Sequence, residues 1–210
     1  VVVLRSLSQM PTAEPCFLVS GPPMKALNDG LTSWLDGMSG TSAVLLGVVL
    51  GLMMCFDLGG PLNKVAYTFA TAGLVNAALS TDRPAVIMGA VMAAGMVPPL
   101  AVALATAVRP ALFSEAERES GKSAWLLGLS FISEGAIPFA AADPLRMIPS
   151  FTIGGAVTGG LAMSFGTGVL APHGGFWVTP LVNAPLLFLL ALVIGMAVSA
   201  GLGVVAETAR

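Results

Sequence analysis

Ser130-Phe131-Ile132-Ser133-Glu134-Gly135-Ala136-Ile137-Pro138-Phe139-Ala140-Ala141-Ala142-Asp143-Pro144-Leu145-Arg146 is the stretch on which the reading of this chain turns. It sets a carboxylate, a helix-breaking proline and an Asp-Pro turn inside an apolar run. A soluble core rarely accepts Glu134 without a partner. A membrane accepts it only facing protein or a polar cavity, because a charge at bilayer depth costs at least roughly 2.5–3.5 kcal/mol. Pro138 has no N–H, so the carbonyl of Glu134 is expected to stay free. Irregular backbone at that depth persists only where it is buried in protein or lines a cavity. The stretch therefore predicts a polar site built from broken helices.

Composition agrees with a membrane setting. Of 210 residues, 56% are hydrophobic and 10% charged, against about 25% charged in a soluble domain. Mean hydropathy is +0.90. Such a chain reads as an integral membrane protein. Its net charge of −2 gives no basis for nucleic-acid binding. The high counts of Gly (25) and Pro (15) fit close helix packing and interrupted helices. Cys16 and Cys55 form no CxxC or disulfide framework, and His173 is the lone histidine, so no metal site or cofactor is expected. Cys55 reads as a small packing residue. The chain begins at Val1 without a signal-peptide pattern, and is expected to be a piece of something longer.

The predicted fold is all-α: a polytopic transmembrane helical protein with broken or re-entrant helices. Residues 1–40 read as an irregular N-terminal segment, interfacial around Trp34, and 207–210 as a polar tail. Between them, 41–206 form the membrane domain. Its apolar stretches are Thr41–Phe56, Val65–Leu79, Ala85–Val108, Trp125–Phe131, Pro149–Val169 and Leu181–Ala206. Pro98-Pro99 is expected to kink the third. Arg109–Lys122 reads as the one strongly charged loop, and Arg109, Arg118 and Lys122 place it in the cytoplasm by the positive-inside tendency. No short fixed-period repeat appears.

Three breaks share a character: Asp57–Lys64, Glu134–Arg146 and Pro172–Gly175. Each combines Pro or Gly with polar side chains, the pattern of a binding site near mid-membrane. Glu134 and Asn63 suit a polyhydroxylated ligand, since a carboxylate accepts from hydroxyls and an amide donates and accepts. Glu134 also suits a general base. The plainer alternative is that Glu134 pairs with Lys64, Arg146 or backbone amides and only holds the fold. Lys64 is a counter-ion or a snorkelling surface residue. Asp57 is expected to cap or orient the loop before Gly59 and Gly60. Asp143-Pro144 reads as a helix start, with Arg146 balancing Asp143 or Glu134 or facing headgroups. His173 is structural or site-lining; Gly174 and Gly175 permit positive φ or close approach. Met53, Met54, Met92 and Met96 read as packing residues.

At this point a family resemblance enters. Asp57-Leu58-Gly59-Gly60-Pro61-Leu62-Asn63-Lys64-Val65-Ala66-Tyr67 resembles the "GGPVNKAAY" signature of fructose-type enzyme IIC, the membrane permease of the bacterial phosphoenolpyruvate-dependent sugar phosphotransferase system. Ile132–Phe139 with Ala142–Arg146, Pro172–Gly175 and Met96-Val97-Pro98-Pro99-Leu100 resemble further signatures, over about Leu31 to Ala206. The resemblance implies fructose transport coupled to phosphorylation, as one component of a sugar phosphotransferase in the bacterial inner membrane. It implies a homodimer, a lipid setting, and a partner IIB domain, fused or separate, that carries the phosphocysteine. Glu134 is implied as the catalytic, sugar-binding carboxylate, with Asn63, His173 and Lys64 lining the site. Asp57, Gly59, Gly60, Pro138, Asp143, Arg146, Gly174 and Gly175 are implied as supporting residues. Neither Cys16 nor Cys55 has a phosphocysteine surrounding. Residues Val1–Ser20 do not read like the family, and a truncated permease with exposed polar surfaces is expected. An ion- or proton-coupled transporter using Glu134, Asp57 and Lys64, or a non-functional remnant, are the alternatives.

Overall fold

The computed structural model describes residues 30, 33, 43–75 and 77–208. The segment around Trp34, Cys16 and the last two residues lie outside them. The named elements are all helical: α1 (Ala43–Phe56), α2 (Pro61–Leu74), α3 (Arg83–Val108), α4 (Glu115–Leu129), α5 (Ile137–Ala142), α6 (Pro144–Ser164) and α7 (Pro185–Thr208), with 3-10 turns at Pro110–Leu112, Ser133–Ala136 and Gly175–Leu181. The all-α expectation holds.

α3 is the axis of the bundle. It is apolar on every side, as a helix enclosed by other helices must be, and Met88, Met92, Met96, Val91 and Val97 are fully buried in it. The remaining long helices pack around it. α3 and α7 are long and apolar enough to cross a membrane. α7 turns Leu186, Leu190, Val193 and Val205 outward, an apolar face suited to lipid.

α1 and α6 run antiparallel in backbone contact. A Cβ on Gly47 would strike the Gly159 carbonyl, and one on Gly51 the Gly155 carbonyl; the reverse pairs clash likewise. Small residues four apart let the two backbones meet, which is how helices associate where lipid removes the hydrophobic drive.

Several boundaries differ from the sequence reading. The expected charged loop Arg109–Lys122 is largely the first half of α4. Ser114 accepts from the Glu117 N–H at 3.3 Å and Glu117 accepts from the Ser114 N–H at 2.8 Å. This capping box satisfies orphan donors at the helix start. α2 begins at Pro61 and ends at Leu74. Ala78 and Leu79 instead donate to Asp82 at 2.8 and 2.9 Å, in the turn that opens α3. α6 starts at Pro144, where Asp143 accepts from the Arg146 N–H at 3.3 Å. α7 starts at Pro185, because residues up to Leu181 belong to the 3-10 turn. α3 stays helical through both Pro98 and Pro99.

Candidate functional site

The three breaks converge. A cavity of about 330 Å³ is lined by Met54, Asn63, Tyr67, Phe131, Ile132, Ser133, Glu134 and His173. Small-molecule sites occupy roughly 300–1,000 Å³. Each break contributes a polar side chain that the sequence singled out: Asn63, Glu134 and His173.

The first break is held by Asp57. Its carboxylate accepts from the Leu62 N–H at 2.7 Å and the Asn63 N–H at 3.0 Å, capping α2 from four residues before its start. Gly60 leaves the room for this, since a Cβ there would meet the Asp57 carboxylate. Asn63 is buried and donates from Nδ2 to the Met54 carbonyl at 2.7 Å. That bond ties the first turn of α2 to the end of α1. Lys64, the next residue, is exposed and is not among the lining residues.

The second break starts with the end of α4. The Ile132 N–H reaches the Leu127 carbonyl at 2.9 Å and the Phe131 N–H the Gly128 carbonyl at 3.1 Å. This is a Schellman ending, which calls for a left-handed residue one past the cap. That residue is Phe131, at φ 62°. A left-handed non-glycine residue costs about 1–2 kcal/mol. Its ring lies between Tyr67, at 6.1 Å between centroids, and His173, at 5.3 Å. The three rings form an aromatic wall that sequence reasoning missed. Tyr67 and Phe131 look like ordinary apolar positions until the helix end brings them together.

Glu134 sits in the 3-10 turn, exposed at the cavity. Its carboxylate has no ion pair or hydrogen-bond partner among the described residues. Arg146 pairs with Asp143 at 2.5 Å instead, so the purely structural pairing with Arg146 is not what the fold adopts. The carboxyl lies against Gly59, at φ +102°, where a Cβ would run into it. One expectation is corrected: the Glu134 carbonyl is not free. It accepts from the Ile137 N–H. The 3-10 geometry uses the donor three residues on, and so bypasses the N–H that Pro138 lacks. Pro138 falls in the first turn of α5, where that N–H is not needed.

The third break carries His173, Gly174 and Gly175, the glycines at φ +129° and +60°. Gly175 is buried against α4, and a Cβ there would strike the Leu129 carbonyl and the Phe131 N. Trp177 Nε1 donates to Ser130 Oγ at 3.1 Å, fastening this turn to the end of α4. His173 is thus delivered beside Phe131 by two contacts that only glycine and the indole N–H permit. Chemically, the cavity offers a carboxylate without a partner among the described residues, an amide, an imidazole and an aromatic wall.

Comparison with known proteins bears on this arrangement. The family model described as Phosphotransferase system, EIIC matches residues 4–154. The chain is 48% identical, over 95% of its length, to the PTS system fructose-specific EIIB'BC component of Vibrio cholerae, and covers 34% of that protein. It is 47% identical over 87% of its length to the PTS system fructose-specific EIIC component of Haloferax volcanii, covering 47% of it. The Fructose permease IIC component of Bacillus amyloliquefaciens is also 47% identical over 87% of the chain, which covers 58% of it. No solved structure matches. The family match begins at residue 4, so residues 4–20, which the motifs left outside the family, lie inside it. With the signature segments folded around one cavity and most of its length matched, the chain belongs to the EIIC family of the phosphotransferase system.

Proposed function

We propose that the chain is part of a fructose permease in which sugar bound between the three breaks is phosphorylated by a partner IIB domain. The observation that carries this reading is the unpaired Glu134 carboxylate at a cavity shared with Asn63 and His173. Relatives named as fructose-specific components support the substrate, and those named EIIB'BC and EIIABC support the IIB partner.

In this reading Glu134 accepts from sugar hydroxyls and takes the proton of the hydroxyl that attacks phosphorus. The P–S bond of the IIB phosphocysteine breaks as the new P–O bond forms. Asn63 and His173 hold the remaining hydroxyls, and the aromatic wall packs against the apolar face of the sugar. Lys64 acts from outside the cavity wall, as a counter-ion for the approaching phosphoryl group. Cys55 is fully buried, which supports placing the phosphocysteine on the partner. Residues 41–206 carry the site, in a multi-pass inner-membrane homodimer with the Arg109–Lys122 segment facing the cytoplasm. An ion-relay function would need Asp57, Lys64 and Glu134 together, whereas Asp57 caps α2 and Lys64 is not among the lining residues.

The test uses membrane vesicles carrying the chain, supplied with phosphoenolpyruvate, the soluble phosphotransferase proteins and IIB. Fructose phosphate that forms only when the chain is present is the expected result. Uptake of unmodified fructose that follows a proton gradient would overturn the reading.

A further inference from the structure

Pro98 and Pro99 lie inside α3. A proline has no N–H, so Pro98 takes the helical donor from the Ala94 carbonyl and Pro99 takes that of Gly95. For Gly95 the tighter 3-10 alternative fails too, because the residue three on is Pro98. Both Ala94 and Gly95 are buried, where an acceptor without a partner is destabilising.

Both carbonyls are met from outside the helix. Cys55 Sγ donates to the Ala94 carbonyl at 3.2 Å. Ser133 Oγ donates to the Gly95 carbonyl at 2.8 Å. Ser133 lines the cavity, and Cys55 adjoins Met54, which also lines it. Cys55 follows Met54, whose carbonyl holds Asn63. Ser133 precedes Glu134. Gly95 itself is pressed from both sides: a Cβ there would run into the Phe131 ring and the Met54 methyl.

We infer that Ser133, with Cys55 as the weaker partner, is a positioning residue. The double proline exposes two adjacent carbonyls on the central helix, and the end of α1 that holds Asn63 and the turn that carries Glu134 each dock onto one of them. The gap between Asn63 and Glu134 is thereby set by one peptide unit of α3. The docking follows from the hydrogen bonds alone; its consequence for sugar rests on the proposed function.

The test is a double-mutant cycle on the chain in detergent. Ser133→Ala leaves the Gly95 carbonyl unmet and is expected to lower Tm by about 3 °C. Pro99→Ala supplies an N–H one helical turn from that carbonyl. In its background Ser133→Ala is expected to cost less than about 1 °C. Equal losses in both backgrounds would overturn the inference. If Ser133→Ala alone does not accumulate, the double variant is expected to accumulate, and its failure to do so would equally count against the docking. In the vesicle assay, Ser133→Ala is expected to raise KM for fructose about tenfold while kcat falls less than about threefold. An unchanged KM would refute the positioning role. Vesicles of a full-length permease containing the unaltered chain that make no fructose phosphate would instead refute the sugar reading, and the thermal cycle would still decide the docking.

Discussion

The α1–α6 seam and the cavity between the breaks are both built on glycine, with opposite results. In the seam Gly47, Gly51, Gly155 and Gly159 keep ordinary helical backbone, and the missing side chain lets two helices touch. Around the cavity Gly59, Gly174 and Gly175 take positive φ, and the missing side chain lets the chain turn. The first use removes space and the second creates it. The seam runs up to Cys55, which a Cβ on Gly155 would strike and which adjoins Met54 of the cavity lining, so the close-packed frame and the irregular backbone meet at the end of α1. The prolines divide in the same way. Pro98 and Pro99 sit in an unbroken helix whose open carbonyls have partners, whereas Pro138 stands in the first turn of α5, directly after the 3-10 turn, where its missing N–H is not needed.

The comparison can be broken most severely at the seam. Gly51→Val would drive a side chain into the Gly155 carbonyl, with no flexible neighbour to yield. Tm is expected to fall by more than about 10 °C, measured by thermal unfolding in detergent. A tolerated valine would mean the helices are not in backbone contact. Gly175→Ala should be milder, with strain from φ +60° and a clash at the Leu129 carbonyl. A fall of about 5 °C is expected, together with weaker fructose binding as His173 moves from Phe131. Gly59→Ala sharpens the contrast further, because its Cβ meets the Glu134 carboxyl, the far end of a movable side chain. Strain at φ +102° is expected to lower Tm by about as much as in Gly175→Ala, and KM for fructose is expected to rise about fivefold. Lys122→Ala removes an exposed pair with Glu119, at 2.6 Å, remote from both regions. Tm should stay within about 1 °C, and a larger fall would show that the start of α4 holds the bundle.

What was legible in the sequence was local. Asp57, Glu134, Pro138, Asp143 and His173 mark breaks because each polar or helix-breaking residue is costly in an apolar run. The role of Asp143 as a helix cap followed from the Asp-Pro spacing, whereas Asp57 read only as capping or orienting its loop and turns out to hold the start of α2. The charged residues 109–122 misled, since charge suggested a loop while Ser114 and Glu117 carried a capping-box signal. The Glu134 carbonyl would be free only if α-helical bonding ran through Pro138, and the 3-10 turn before it gives that carbonyl the Ile137 N–H instead. The aromatic wall and the Ser133 and Cys55 bonds were not readable. They join residues 38 or more apart in sequence, and only the packing of the elements around α3 makes them neighbours.

The central claim is that Glu134 is the unpaired carboxylate of a sugar site rather than a structural acid. Fructose phosphorylation by vesicles carrying the chain, compared with Glu134→Gln at equal membrane content, tests it most directly. The amide keeps the size of the side chain and removes its charge and basicity. Phosphorylation is expected to fall at least about 100-fold while Tm stays within about 2 °C, since the carboxylate is exposed. Phosphorylation by Glu134→Gln at the rate of the unaltered chain would contradict the account.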